Sequence, residues 1–312
     1  MSVSHVAECP DLGPECFGGG APPTPYNHHV DQLMAETVFD LSLGLSEWFA
    51  IDARWSLRVA DVNPTYSELD GTPKLVPNDI HHHDETLVDP TDPWLVARLA
   101  ASRDNVFTMM RLGFSFPVGR TEPDPYVLGR EGKSHEHLQA GTGTVVPIIG
   151  VGLSLRLAED TSTPVTLALS GTGLLNVYEN DEGFRAPSRL YANQRVSVAF
   201  LDGQLNPFVE GTFAHETEEY WQGEVGLEGT NVRSEVYVGG GLAWRFAENW
   251  SADLAARGRI ATLTHAPTFT NYGVFSLGIS TRFSLWGGEA PADAAPAIRE
   301  RRDKGETVFE KE

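Results

Sequence analysis

The chain has no run that approaches the roughly 18 consecutive apolar residues a membrane-crossing helix needs. That excludes helical spans but not strand spans, which need only about ten residues with alternate ones apolar. Basic charge is also scarce. Lys and Arg total 23 against 43 Asp and Glu, for a formal charge of -20 over 312 residues. Nucleic acid is excluded as a partner, because its phosphates need a basic surface. Cysteine is almost missing. The two present, Cys9 and Cys16 in "CPDLGPEC", match no metal or haem spacing. Pro10, Gly13 and Pro14 between them suit a small disulfide loop or two local thiols. "MSVSHVAECP" lacks a basic n-region and an apolar h-region, so no secretory signal is expected in it. No His-Glu-x-x-His helix and no Ser-His-Asp spacing is present, and the expected protein is not an enzyme.

What the chain has is glycine, proline and alternation. Gly at 31 and Pro at 20 favour many turns and strands over helices. In "FDLSLGLSEWFAIDARWSLRV", residues 39–59, every second residue is apolar on each side of a short aromatic turn. That is the period of a strand pair. Four more pairs follow: 94–102 with 105–118, 145–157 with 164–178, 189–200 with 207–215, and 233–246 with 250–263. A last strand, 272–285, stands alone. Turns within pairs are tight. The connections between pairs are mostly long, polar and rich in Pro, Asp, Glu and His, near 62–93, 119–144, 179–188, 216–232 and 264–271.

Sorting short turns to one end and long loops to the other is the habit of outer-membrane barrels. One strand face carries Leu41, Leu43, Trp55, Leu112, Phe114, Val151, Leu169, Val238, Leu242 and Leu277. The opposite face carries Asp52, Arg54, Arg58, Arg98, Arg111, Arg156, Arg195, Glu210, Glu235, Arg245, Asp253, Arg257, Arg259 and Arg282. These charges are expected to line a wet lumen, with the apolar face in lipid. Trp48, Phe49, Phe200, Phe208, Trp244, Phe246, Trp250, Phe283 and Trp286 suggest an aromatic collar at the short-turn end. Tyr66, Tyr178, Tyr191, Tyr220, Trp221 and Tyr272 suggest a second collar at the long-loop end. The expected fold is all-β: an up-and-down antiparallel transmembrane barrel of about twelve strands, eleven of them visible, preceded by an irregular segment 1–34 and occupying 35–286. The twelfth strand either hides in residues 1–35 or lies outside this sequence. Two other readings share the periodicity: a structural or partner-binding barrel with a plugged lumen, and a soluble β-barrel binding protein.

Nine of the ten histidines fall in the long-loop half of this plan. His81, His82 and His83 with Asp84, His135 and His137, and His215 form a candidate site for a Zn, Cu, Ni or Fe ion at the mouth. Ordinary loop composition explains the same residues. No other cofactor is expected. The expected partners are a lipid bilayer and small solutes or metal ions, and the oligomeric state is not legible.

The stretch "GFSFPVGRTEPDPYVLGREGKSHEHLQAGTGTVVPIIGVGLSLRL", residues 113–157, resembles a family of outer-membrane barrels identified as transporters of the "MetA-pathway of phenol degradation" type. The resemblance rests on Pro117-Val118-Gly119 at a strand end and on Gln139-Ala140-Gly141-Thr142-Gly143-Thr144-Val145-Val146-Pro147 leading into the next strand. Leu45 to Ile51 is similar to the family's opening hairpin, and the likeness spans about 36–286. It implies passage or capture of small solutes in the outer membrane of a Gram-negative bacterium, and no catalytic residues. Residues 287–312 read as an Ala/Pro linker and a charged helical tail. "RDKGETVFEKE" is similar to the first helix of class I c-type cytochromes, but no Cys-x-x-Cys-His follows it in this sequence.

Overall fold

The alternation becomes one long antiparallel ladder in the computed structural model. The structure describes residues 2–7, 26–74, 84–131, 133, 138–157, 161–226, 232–263, 273–281 and 283. The main strands are β1 (Ser2–Ala7), β2 (Tyr26–Gly44), β3 (Phe49–Glu68), β4 (Glu85–Pro90), β5 (Trp94–Arg103), β6 (Val106–Ser115), β7 (Val146–Leu157) and β8 (Val165–Leu174). They continue through a two-residue β9 (Phe184–Arg185), then β10 (Arg189–Val198), β11 (Leu205–Glu216), β12 (Tyr220–Trp221), β13 (Glu224–Val225), β14 (Arg233–Ala247), β15 (Trp250–Thr262) and β16 (Gly273–Thr281). One short helix, α1 (Pro125–Arg130), interrupts them.

Twelve strands follow one another in the sheet in chain order: β1-β2-β3-β5-β6-β7-β8-β10-β11-β14-β15-β16. The architecture is the all-β, up-and-down antiparallel barrel sheet that the sequence predicts. β4 pairs with β3 at Leu57–Val62, just above the stretch where β5 pairs with it, Phe49–Arg54. β4 and β5 are therefore one descending barrel strand, broken at residues 91–93, where Pro90 and Pro93 remove ladder donors. Among the described residues, no ladder joins β16 to β1 or β2.

Two expectations change at the N-terminus. The segment 1–34 is not wholly irregular: β2 begins at Tyr26, and β1 pairs with its upper end from Ser2↔Asp31 to Ala7↔Tyr26. β1 is the strand hidden from periodicity. "SVSHVA" and "YNHHVD" carry polar residues on both faces, so no period marks them. Cys9 and Cys16 lie outside the described residues, as does the tail 287–312.

Tight turns close the pairs as expected. β5 and β6 are joined by Asp104-Asn105, with Asp104 at φ 50°. β10 and β11 are joined through Leu201 and Asp202, both at φ 52°. Asp and Gly-rich turns tolerate this left-handed region, and the right-handed strand twist asks for it.

The side chains sort by parity. Leu41, Trp55, Leu112, Phe114, Val151, Leu169, Val238, Leu242, Leu254 and Leu277 are all exposed. Leu277 keeps 75% of its accessible area and Leu41 70%. Among the described residues buried apolar side chains are far fewer, and the large ones are the aromatics Tyr126, Phe184, Phe208 and Trp221. Trp48, Phe200, Trp244, Phe246, Trp250 and Phe283 are exposed at the short-turn end, with Trp244–Phe246 ring centroids 5.3 Å apart. Phe208 does not belong to this collar. Its even-numbered place on β11 turns it inward, where Arg195 lies 3.9 Å from its ring centroid. The expected second collar largely dissolves too: Trp221 is buried, and Tyr191 packs against an interior cluster. Tyr272 and Trp286 lie outside the described residues.

Candidate functional site

The inner face is built by the register. Residues opposite one another across adjacent strands project to the same side, and the chain places opposite charges there. Asp40 faces Arg54 and Glu36 faces Arg58 across β2 and β3. Their ion pairs are 3.3 and 3.7 Å. Asp52 meets Arg98 at 3.2 Å, and Ser42 links the two, accepting from Arg98 at 2.8 Å and donating to Asp52 at 2.7 Å. On the far wall Arg195 donates twice to Glu210, at 2.6 and 3.2 Å. Higher up, Glu216 takes Arg189 and Arg233, and Glu235 takes Arg233 and Arg259.

Asp52, Arg54, Arg58, Arg98, Arg195, Glu210, Glu235 and Arg259 all lie on the strand face that carries these ion pairs. Arg156 is buried on β7, and Arg245 reaches the Asp202 carbonyl at the turn end. Arg111 is inward on β6, and among the described residues its guanidinium has neither an ion pair nor a hydrogen bond. Arg282 lies outside the described residues.

Inside the sheet, a cavity of about 450 Å³ is lined from β8, β10 and β11 on one side and from β15 and β16 on the other. Side chains from β8 and β16 share one space although four strands, β10, β11, β14 and β15, lie between them in the sheet, so the sheet is rolled. Gly239 and Gly241 on β14 lie between these walls. A Cβ on Gly239 would come within 2.6 Å of Arg257 Cβ, and one on Gly241 within 2.6 Å of the Phe208 ring. Glycine lets the β15 backbone and the Phe208 ring approach β14 this closely.

The long-loop end follows a different rule. Asp92, in the break between β4 and β5, is the junction. Its Oδ1 accepts from the Val118 and Gly119 backbone N–H groups at 3.0 and 2.8 Å. Its Oδ2 accepts from the Thr142 N–H at 2.7 Å and the Thr142 hydroxyl at 2.9 Å. The two stretches that carry the family resemblance are therefore clasped by one carboxylate. The glycines are needed for the same reason. A Cβ on Gly119 would lie 2.6 Å from Gly141 Cα, and a Cβ on Gly141 would lie 2.7 Å from Asp92 Oδ1. Arg120 next door pairs with Asp89 at 2.9 Å and with Glu122, and these carboxylates raise its pKa further. Gln139 accepts from the Glu122 N–H at 2.7 Å.

Above the clasp, Asp124 caps α1, accepting from the Tyr126 and Val127 N–H groups, with Pro125 at the first helical position. Tyr126, Phe184, Ala186 and Trp221 form a small buried cluster, with the Phe184 and Trp221 centroids 4.7 Å apart. Gln222 donates to the other Asp124 oxygen at 3.0 Å. A second cluster of Val96, Val146, Ile148 and Leu174, with Trp94 and Tyr191 against it, occupies the inner face just below. Burial beside this cap pushes Glu219 up to about 7, although Trp221 Nε1–H donates to it at 3.3 Å.

Of the expected metal ligands, His81, His82, His83, His135 and His137 lie outside the described residues. Asp84 and His215 lie within them, and His215 shares a 2.9 Å hydrogen bond with Ser234. Among the described residues no three His, Cys, Asp or Glu side chains gather as a metal site. Sequence reading missed Asp92 and Asp124, and took Trp221 for a collar residue. Their only signal was the Pro-flanked break "DPTDPW" and the Asp-Pro before the loop helix.

No protein-family model and no curated protein matches the chain. Among solved structures it is similar to the crystal structure of the COG4313 outer membrane channel from Pseudomonas putida F1. The identity is 10% and the TM-score 0.49, covering 89% of this chain and 91% of that one.

Proposed function

We propose that this protein is a bacterial outer-membrane β-barrel that passes small solutes through its charged interior. One observation carries the reading: the strands turn their large apolar side chains outward and their ion-paired charges inward. In water an exposed apolar belt running around a sheet is costly and sticky. In lipid it is the favourable arrangement, and the inward charges need a wet lumen. The exposed aromatic collar at the short-turn end fits the membrane interface. Purified protein reconstituted in planar bilayers is expected to give stepwise ion conductance and, in liposomes, solute-driven swelling. Neither conductance nor flux would remove the reading.

A second reading is a structural barrel closed by its own mouth. The two apolar clusters at the long-loop end favour it. It predicts membrane insertion with no conductance, and conductance only after the cap is disrupted.

A further inference from the structure

Four charged residues line the interior cavity: Arg195, Glu210, Asp253 and Arg257. Two of them satisfy each other. Arg195 is spent on Glu210 at 2.6 Å and on the Phe208 ring. The other two are different. Among the described residues neither Arg257 nor Asp253 has an ion-pair or hydrogen-bond partner, although almost every other inward charge of the lumen has one. Both are on β15, four residues apart, and therefore on the same face. At the strand rise their Cα atoms stand about 13 Å apart. They do not neutralise each other along the strand. The facing positions explain why: Arg257 is opposite Gly239 on β14 and Asp253 is opposite Gly278 on β16, so no charged side chain is supplied across the ladder. Between them the wall is neutral and polar, with Ser276 opposite Ala255 and Thr212 and Asn193 hydrogen-bonded to each other at 2.8 Å.

We propose that this cavity is a binding site for a small zwitterion whose two charges sit at opposite ends of a short chain. The ligand's carboxylate takes Arg257 and its ammonium takes Asp253. A guanidinium forks onto a carboxylate. A free carboxylate accepts from an ammonium. A simple anion would satisfy Arg257 but be opposed by Asp253, and a simple cation would meet the reverse. The proposal names the solute class for the passage reading and rests on it for the site being reached from the medium. Binding itself does not require passage.

The test is calorimetry on the full chain in detergent micelles, with 6-aminohexanoate, hexanoate and hexylamine as probes. The expected result is that 6-aminohexanoate binds at least ten-fold more tightly than either singly charged probe. Arg257→Gln and Asp253→Asn each remove that preference. The charge swap Arg257→Asp with Asp253→Arg restores it, because the ligand can reverse its direction. Heat-modified gel mobility confirms that each variant is folded. Equal binding of the three probes by the unaltered protein overturns the proposal, as does a preference that survives Arg257→Gln. Bilayer conductance separates the two claims. Conductance without the zwitterion preference removes only this site, and the preference without conductance removes only passage.

Discussion

The strand body and the long-loop end of this molecule obey opposite polarity rules. In the strand body, Leu41, Val238 and Leu277 face outward while Asp52, Arg98 and Glu210 face inward. At the mouth, Phe184 and Trp221 are buried against Tyr126, and carboxylates lie at the rim, as in a water-soluble domain. On the proposed membrane reading, one chain is built for two solvents. Burial follows the hydrophobic effect where the surroundings are water, and reverses where they are hydrocarbon.

Asp92 gives the sharpest break between the two regions. Asp92→Ala leaves three backbone N–H groups and a hydroxyl without their acceptor, at a cost of about 4 kcal/mol. Hydrogen exchange in residues 138–146 is expected to lose its protection while the heat-modified mobility of the barrel stays. Loss of both together would show one cooperative unit instead of two. Val238→Arg tests the other region. On a lipid-facing strand it costs about 3 kcal/mol and lowers membrane-inserted yield, whereas an unchanged yield would argue for an aqueous exterior.

Glu219 sets a smaller, pH-dependent difference. Its folded pKa is raised, so its contribution to the cap is fully present below the ordinary carboxylate value of 4.5 and is lost as pH rises through about 7. Trp221 fluorescence should report a looser cap at pH 8 than at pH 5, with no such change in Glu219→Gln and none in barrel mobility. The smallest effect belongs to the lumen. Arg195→Met removes an ion pair whose arginine is half exposed, worth no more than about 1 kcal/mol. Stability should barely move, while single-channel conductance should change. A large stability loss would mean that the lumen is drier than the mouth.

Much of this was legible beforehand because strand parity is local. Leu41-Leu43 and Asp52-Arg54 declare opposite faces within four or five residues; Leu41 is exposed, and Asp52 and Arg54 pair with charges on the neighbouring strands. Phe208 was misassigned to the collar because an aromatic near a turn is ambiguous by position; only the β10–β11 register turns it inward. Tyr191 and Trp221 were misassigned for a related reason. An interface belt and a mouth cap call for the same residue types, and packing distinguishes them.

The order, direction and faces of the main strands, and the ends at which short turns and long loops gather, were determined by the sequence alone, since each depends on near neighbours and a period of two. The clasp at Asp92, whose partners lie 26 to 50 residues away, was decided only in three dimensions. So was the contrast between paired Arg195 and unpartnered Arg257: both are inward arginines, and what separates them is whether the facing strand brings Glu210 or Gly239 opposite.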